Sequence, residues 1–202
     1  MPVTKPSRHP DYRCKLPHYL PNDAPYFVTT HLAGSLSAPE VTRLKAMRGT
    51  VEENRFFVSY DESLDQLHDG IDYLRQPTIL AIVRDKLMKL EGEGSISIHA
   101  FCIMPNHIHL VIDVTSEIPL FDIMKLLKGA TARECNKVIG QTRKHFWQWE
   151  SYDHVVRHGS LERVIRYVLM NPVKAGLVDH WWEWPGTYLS AQYDRELFKS
   201  PN

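Results

Sequence analysis

Apolar positions along the chain follow two periods, and the switches between them outline the elements. Tyr26-Phe27-Val28-Thr29-Thr30-His31-Leu32 is rich in β-forming side chains and predicts a strand ended by Gly34. Residues 38–75 form a polar, acidic stretch with helical character, broken near Gly49 and Gly70. Pro77 fits the first turn of a helix running through Ile79, Ile82, Val83, Leu87 and Leu90, and Gly92 and Gly94 end it. Two β-prone runs follow, Ser95 to Met104 and His107 to Val114, joined by Met-Pro-Asn as a tight turn. Helical spacing returns over 117–139, with Ile118, Phe121, Ile123, Met124 and Leu127. His154 to Arg157 is a short β-like run, and residues 160–171 form a last helix that Pro172 should stop.

The order strand, helix, hairpin, helix, strand, helix suits an α+β fold: a ferredoxin-like antiparallel sheet with helices packed on one face. Residues 1–25, with prolines at 2, 6, 10, 17, 21 and 25, read as an extended arm, and 26–190 as one domain with 38–75 as a helical insertion. Trp181, Trp182 and Trp184 read as packing aromatics, and 191–202 as a C-terminal tail.

Composition narrows the class. Hydrophobic residues at 43% and charged residues at 24% are ordinary globular usage. No apolar run approaches the ~20 residues needed to cross a bilayer, and the first twenty residues lack an apolar signal core. Cys14, Cys102 and Cys135 are odd in number and widely spaced, giving neither a disulfide framework nor a zinc site. A cytoplasmic protein is expected, with no membrane partner. The zero net charge hides an asymmetry: residues 51–94 hold ten acids against five bases, and 123–175 ten bases against four acids. The basic half includes Lys125, Lys128, Arg133, Lys137, Arg143, Lys144, Arg157 and Lys174, candidates for holding phosphates if a phosphate chemistry site lies near them.

His107-Ile108-His109 is the sharpest local feature. In a strand the two imidazoles share one face while Ile108 points into the core, so they can grip one divalent metal. The bland counterpart is two histidines on a solvated sheet face. Tyr167 and Asn171 stand four apart on a helix and share a face. The Asn171 carboxamide could complete a metal site with Tyr167 as a nucleophile one turn away, although an aromatic in Val164-Ile165-Arg166-Tyr167-Val168-Leu169 is more often core.

Cys102-Ile103-Met104-Pro105-Asn106-His107-Ile108-His109-Leu110-Val111-Ile112 resembles the HUH strand of single-tyrosine transposases. Ser151-Tyr152-Asp153-His154-Val155-Val156-Arg157, then Ile165-Arg166-Tyr167 and Asn171-Pro172-Val173-Lys174-Ala175-Gly176-Leu177-Val178, resembles their C-terminal signature. The similarity is strongest to the REP-associated tyrosine transposases and spans roughly 11–190, with the HUH strand expected at the sheet centre. The arm and the length of 38–75 depart from it.

The resemblance implies a catalytic tyrosine at Tyr167 and metal ligands at His107, His109 and Asn171. It implies a metal-dependent endonuclease and strand transferase that cuts hairpin-forming single-stranded DNA through a 5′-phosphotyrosine link, in the nucleoid. Two nitrogens and one oxygen suit Mg²⁺ or Mn²⁺, the imidazoles favouring Mn²⁺. Tyr152 lacks the spacing to an Asn-Pro and is assigned packing or DNA contact, and His154 a supporting role. A histidine-triad nucleotide hydrolase would want a third alternating histidine where Val111 stands. A domesticated hairpin-binding relative that does not cut is the chief alternative; a metal-stabilised structural protein would leave the tyrosine helix unexplained. Monomer and homodimer stay open.

Overall fold

The computed structural model describes residues 24–66, 71–141 and 145–199. The arm up to residue 23, Gly70, Arg143 and Lys144 lie outside these. The chain runs β1 (Tyr26–His31), α1 (Ala38–Met47), α2 (Glu53–Asp65), α3 (Pro77–Gly92), β2 (Ile96–Ile103), β3 (His107–Val114), α4 (Leu120–Val138), β4 (Tyr152–Val155), α5 (Leu161–Lys174) and β5 (Thr187–Leu189).

The strands form one five-stranded sheet in the order β4-β1-β3-β2-β5, with every pairing antiparallel. The α+β class and the central position of the histidine strand match the expectation. β5 was not anticipated. It pairs with β2 through Ala100↔Leu189 to Cys102↔Thr187, and the Ile103 N–H donates to the Gly186 carbonyl just before it. Gly186 is required there, because a Cβ would lie 2.3 Å from the Ile103 carbonyl oxygen.

The two sheet faces have separate cores. On one, Val28, Ile108, Leu110 and Ile112 meet α3 through Ile79, Val83 and Leu87, and α4 through Ile123 and Leu127. Strand alternation alone would turn Phe101 and Ile103 away from Ile96 and Ile98. A register shift between Ile98 and Ala100 changes the parity, so all four share this core. On the other face, Phe27, Ala100, Cys102 and Val111 are covered by Ile165, Val168 and Leu169 of α5 together with Trp181 and Phe198. The α3/α4 pair thus shares one face as expected, whereas α5 covers the opposite one: its apolar stripe has the Phe27/Val111 face to bury, since α3 and α4 already fill the first.

Three further expectations are corrected. Pro172 does not stop α5, which continues to Lys174. Its fixed φ is helical, and only one ladder bond is lost close to the helix end. The segment after 190 is not a loose tail as far as Phe198, which is buried and whose carbonyl accepts from the Trp181 indole N–H at 2.9 Å. β4 begins at Tyr152 rather than His154, because its partner β1 offers pairing sites from Tyr26 to Thr29.

Residues 38–66 form a helical hairpin. Ser37 caps α1 in a capping box with Glu40, and Leu44, Tyr60 and Leu64 form a small core between the two helices. No described helix is long and apolar enough to cross a membrane.

Candidate metal and tyrosine centre

β3 is flanked by β1 on one side and β2 on the other, which fixes the direction of its side chains. His107 and His109 point to the α5 face and are fully buried, so they are not the solvated pair of the bland reading. A hydrogen bond sets the tautomer of His107. The Asn106 side-chain N–H donates to the Leu64 carbonyl at 2.8 Å, which leaves its Oδ1 as the acceptor facing His107 Nδ1 at 2.7 Å. An amide oxygen only accepts, so the proton of His107 sits on Nδ1 and Nε2 carries a bare lone pair. The Nδ1 of His109 pairs with the Thr29 hydroxyl at 2.9 Å, a bond that either tautomer of His109 can make. Burial, with His109 adding to it, lowers the pKa of His107 well below the ordinary histidine value, keeping the ligand form neutral.

The two Nε2 atoms lie 3.0 Å apart, and Asp61 Oδ1 lies 3.1 Å from that of His109. Ligands about 2.1 Å from one cation, at right angles to each other, are separated by about 3.0 Å. The separations fit adjacent corners of an octahedron around a divalent cation. Asp61 is almost fully buried on α2. Burial works against its ionisation, but His109 and then His107 outweigh this and hold its carboxyl below the usual carboxylate range. Asp61, His107 and His109 are the group of buried ligand atoms close enough together to hold a metal among the described residues.

α5 brings its face to the same place. The Tyr167 ring stands 6.0 Å from that of His109, and its hydroxyl donates to Asp61 Oδ2. Burial and then the Asp61 charge raise the pKa of the phenol. Asn171, one turn on, donates its side-chain N–H to the Tyr167 carbonyl at 2.9 Å. Its buried Oδ1 has no hydrogen-bond partner among the described residues, the condition of an oxygen kept for a cation. Lys174 Nζ sits 4.1 Å above the centre of the Tyr167 ring.

The other basic candidates are scattered. Lys125, Arg133 and Lys137 are exposed on α4, whose buried side packs on the face opposite the histidines. Lys128 donates its ammonium to the carbonyls of Gln148, Trp149 and Glu150 at 3.0, 3.1 and 3.4 Å. Arg157 is exposed just beyond β4. Tyr152 packs on Phe57 with ring centres 5.1 Å apart, and His154 stands 5.2 Å from Phe27, so both support the aromatic layer beside Tyr167. Asp61 escaped the sequence reading, as did Asn106 and Thr29 as partners of the histidines. Asn106 carried a signal, its place in the turn before the pair; Asp61 was one of ten acids over residues 51–94.

Known proteins share parts of this sequence and its fold. The family model described as "Transposase IS200 like" matches residues 72–171, about half the chain, from just before α3 to Asn171. A Haemophilus influenzae protein classed among the REP-associated tyrosine transposases is 28% identical over 109 residues, 49% of this chain and 62% of that protein. The transposase TnpA of ISDra2 from Deinococcus radiodurans is 28% identical over 65 residues, 32% of this chain and 46% of its own. The match therefore spans less than two thirds of either relative. Among solved structures, a REP-associated tyrosine transposase bound to a REP hairpin superposes with a TM-score of 0.57 at 17% identity, covering 86% of this chain and 81% of that one. With the family match running through both the histidine strand and the tyrosine helix, residues 72–171 belong to the IS200-like transposase family, and the chain is similar in sequence and fold to the REP-associated tyrosine transposases.

Proposed function

We propose that this protein is a divalent-metal-dependent transposase that cuts and rejoins single-stranded DNA at hairpin-forming palindromic repeats through Tyr167. The observation that carries the reading is the meeting, within one polypeptide, of the Tyr167 hydroxyl with the Asp61 carboxylate and the His107/His109 pair. His107, His109 and Asp61 would hold the cation, with the Asn171 amide oxygen as a further ligand; Mg²⁺ or Mn²⁺ suits this mixed set of two nitrogens and two oxygens. When bound, the cation supplies charge neutralisation at the scissile phosphate.

The remaining work falls to the side chains. Asp61 Oδ2 holds the Tyr167 hydroxyl in place and is the atom positioned to take its proton. The phenolic oxygen then attacks phosphorus, forming a Tyr–O–P bond and breaking the bond to the 3′ oxygen of the preceding nucleotide, which leaves as a hydroxyl once it takes up the proton that Tyr167 gave to Asp61. The 5′-phosphotyrosine keeps the energy of the broken ester, so a 3′-hydroxyl can reverse the step and complete strand transfer. Lys174, above the tyrosine ring, brings a positive charge to the phosphate side of the reaction. A tyrosine that reaches its own chain's histidines supports a centre that works within one protomer. The hairpin substrate is supported by the solved relative, which is bound to a REP hairpin.

The test incubates the full chain with end-labelled hairpin single strands in Mn²⁺, Mg²⁺ or EDTA and resolves covalent adducts on a denaturing gel. An adduct that needs metal and vanishes in Tyr167→Phe supports the reading. Tight hairpin binding with no adduct on any palindrome would overturn it in favour of a hairpin-binding protein that does not cut.

A further inference from the structure

The α3/α4 side of the sheet holds a cavity of about 150 Å³. Leu32, Ile71 and Ile139 give it aliphatic walls, and Tyr73 and Phe146 aromatic ones. A packed interior leaves few voids larger than a water molecule, so a space of this size has to be accounted for.

Backbone bonds keep the walls apart. The Leu32 N–H donates to the Asn106 carbonyl at 2.8 Å, the Leu74 N–H to the Pro105 carbonyl at 3.0 Å, and the Ala33 N–H to the Phe146 carbonyl at 2.9 Å. The exit of β1, the segment before α3 and the segment before β4 are thereby pinned around the turn between β2 and β3. The space is formed before anything enters it, which lowers the cost of binding. His145, which also lines it, is exposed, so a small molecule can reach it from solvent.

Size and chemistry together define what fits. An apolar cavity of this volume takes one benzene ring, so the space suits a single six-membered ring and not a fused pair. The Tyr73 and Phe146 rings, with centres 6.5 Å apart and planes 26° from parallel, offer aromatic surface to a flat guest. One edge of the cavity is polar. Gln141 Nε2 donates to the Tyr73 hydroxyl oxygen at 3.2 Å, which leaves the Tyr73 O–H as a donor beside Gln141 Oε1 as an acceptor. A donor beside an acceptor pairs with a ring edge that presents a C=O beside an N–H. Apolar walls with a few placed polar groups are the ordinary make-up of a ligand site.

We infer that this cavity binds a single pyrimidine-type ring carrying a C=O beside an N–H, the chemistry of uracil and thymine. Such a ring comes either as a free nucleoside or as an unpaired base of a bound strand. The cavity is separate from the metal and tyrosine centre, and the inference does not depend on the strand-transfer reading.

The test titrates the metal-free full chain with thymidine and with 3-methylthymidine, whose ring N–H is blocked, and follows the ligand by saturation-transfer NMR. Thymidine should bind with a Kd of about 1 mM or tighter, and 3-methylthymidine and guanosine at least about tenfold more weakly. Tyr73→Phe and Gln141→Leu keep the walls but lose one half of the polar edge, and each should cost at least about fivefold in thymidine affinity. Ala33→Leu, which fills the cavity, should abolish binding in a chain whose cooperative thermal transition shows it folded. Displacement of thymidine by a hairpin with one unpaired thymine, and not by its fully paired counterpart, assigns the site to a strand. No displacement by either hairpin assigns it to the free nucleoside. Absence of thymidine binding by the folded wild type, or equal affinity for thymidine and 3-methylthymidine, overturns the inference and leaves the strand-transfer reading standing.

Discussion

The hydroxyl of Tyr167 on α5 donates to the carboxylate of Asp61 on α2, although the two residues stand 106 positions apart. The same carboxylate faces His109, so one acidic side chain touches both the proposed nucleophile and the proposed metal site. Removing its charge while keeping its shape separates these roles from packing. Asp61→Asn should lower Mn²⁺ affinity by at least about tenfold and slow adduct formation at saturating metal, while the thermal midpoint of the metal-free protein stays close to wild type. Titration calorimetry and single-turnover adduct assays read both; unchanged metal affinity would remove Asp61 from the ligand set.

Asn106 acts on the metal site without reaching it. Its carboxamide bridges the Leu64 carbonyl at the end of α2 and His107 Nδ1, fixing both the ring tautomer and the approach of the helix that carries Asp61. Asn106→Ala should cost about 10- to 100-fold in Mn²⁺ affinity, the usual effect of losing an outer partner of a ligating histidine. Asn106→Asp reverses the donor that Leu64 needs, and should rescue poorly. A metal affinity within twofold of wild type in Asn106→Ala would show that the tautomer is set elsewhere.

Lys128 and Lys174 look equivalent as lysines in the basic half of the sequence, but their surroundings differ. Lys174 lies over the Tyr167 ring, whereas Lys128 is turned to three carbonyls, and burial lowers its pKa to about 8. Affinity for a hairpin single strand measured against salt separates the two. Lys174→Ala should reduce the slope of log K against log salt by about 0.7 to 0.9, the loss of one phosphate contact. Lys128→Met should leave the slope unchanged, since its charge releases no counterion. A reduced slope in Lys128→Met would return it to the phosphate-binding set.

The boundary between what the sequence disclosed and what it hid follows from distance along the chain. β1, α3, β2, β3 and α4 were legible because each carries its own period and stop signals, and Pro105-Asn106 dictates the hairpin between β2 and β3. The three-residue β5 has too few positions to show a period, and exists because β2 has a free edge and Gly186 permits close approach. The face chosen by α5 is a packing decision, made by which sheet face remains uncovered. His107, His109, Tyr167 and Asn171 stood out by their spacing within single elements, but it was the family resemblance that gave them roles. Asp61 belongs to a helix whose acids have no pattern pointing at β3, and only the fold brings it there.

His31 gives the folded protein a dependence on pH that can be read without any substrate. It is buried opposite His107, its Nδ1–H donates to the Leu32 carbonyl at 2.9 Å, and burial, with the Lys128 charge adding to it, lowers its pKa to about 4 from 6.5. The unfolded chain takes up a proton near 6.5, and the folded chain only near 4. Above both values neither state is protonated at His31, so its full contribution to stability is present at neutral pH. As pH falls from 6.5 towards 4 the unfolded state binds more protons, and stability is lost by up to about 3 kcal/mol from this residue. His107, lowered in the same direction, adds to the same acid limb. Urea denaturation in EDTA at a series of pH values between 7 and 4 should therefore show a steep fall in wild type and a shallower one in His31→Gln. Parallel limbs in the two proteins, whatever their absolute stabilities, would show that His31 takes its proton as readily in the folded chain as in the unfolded one.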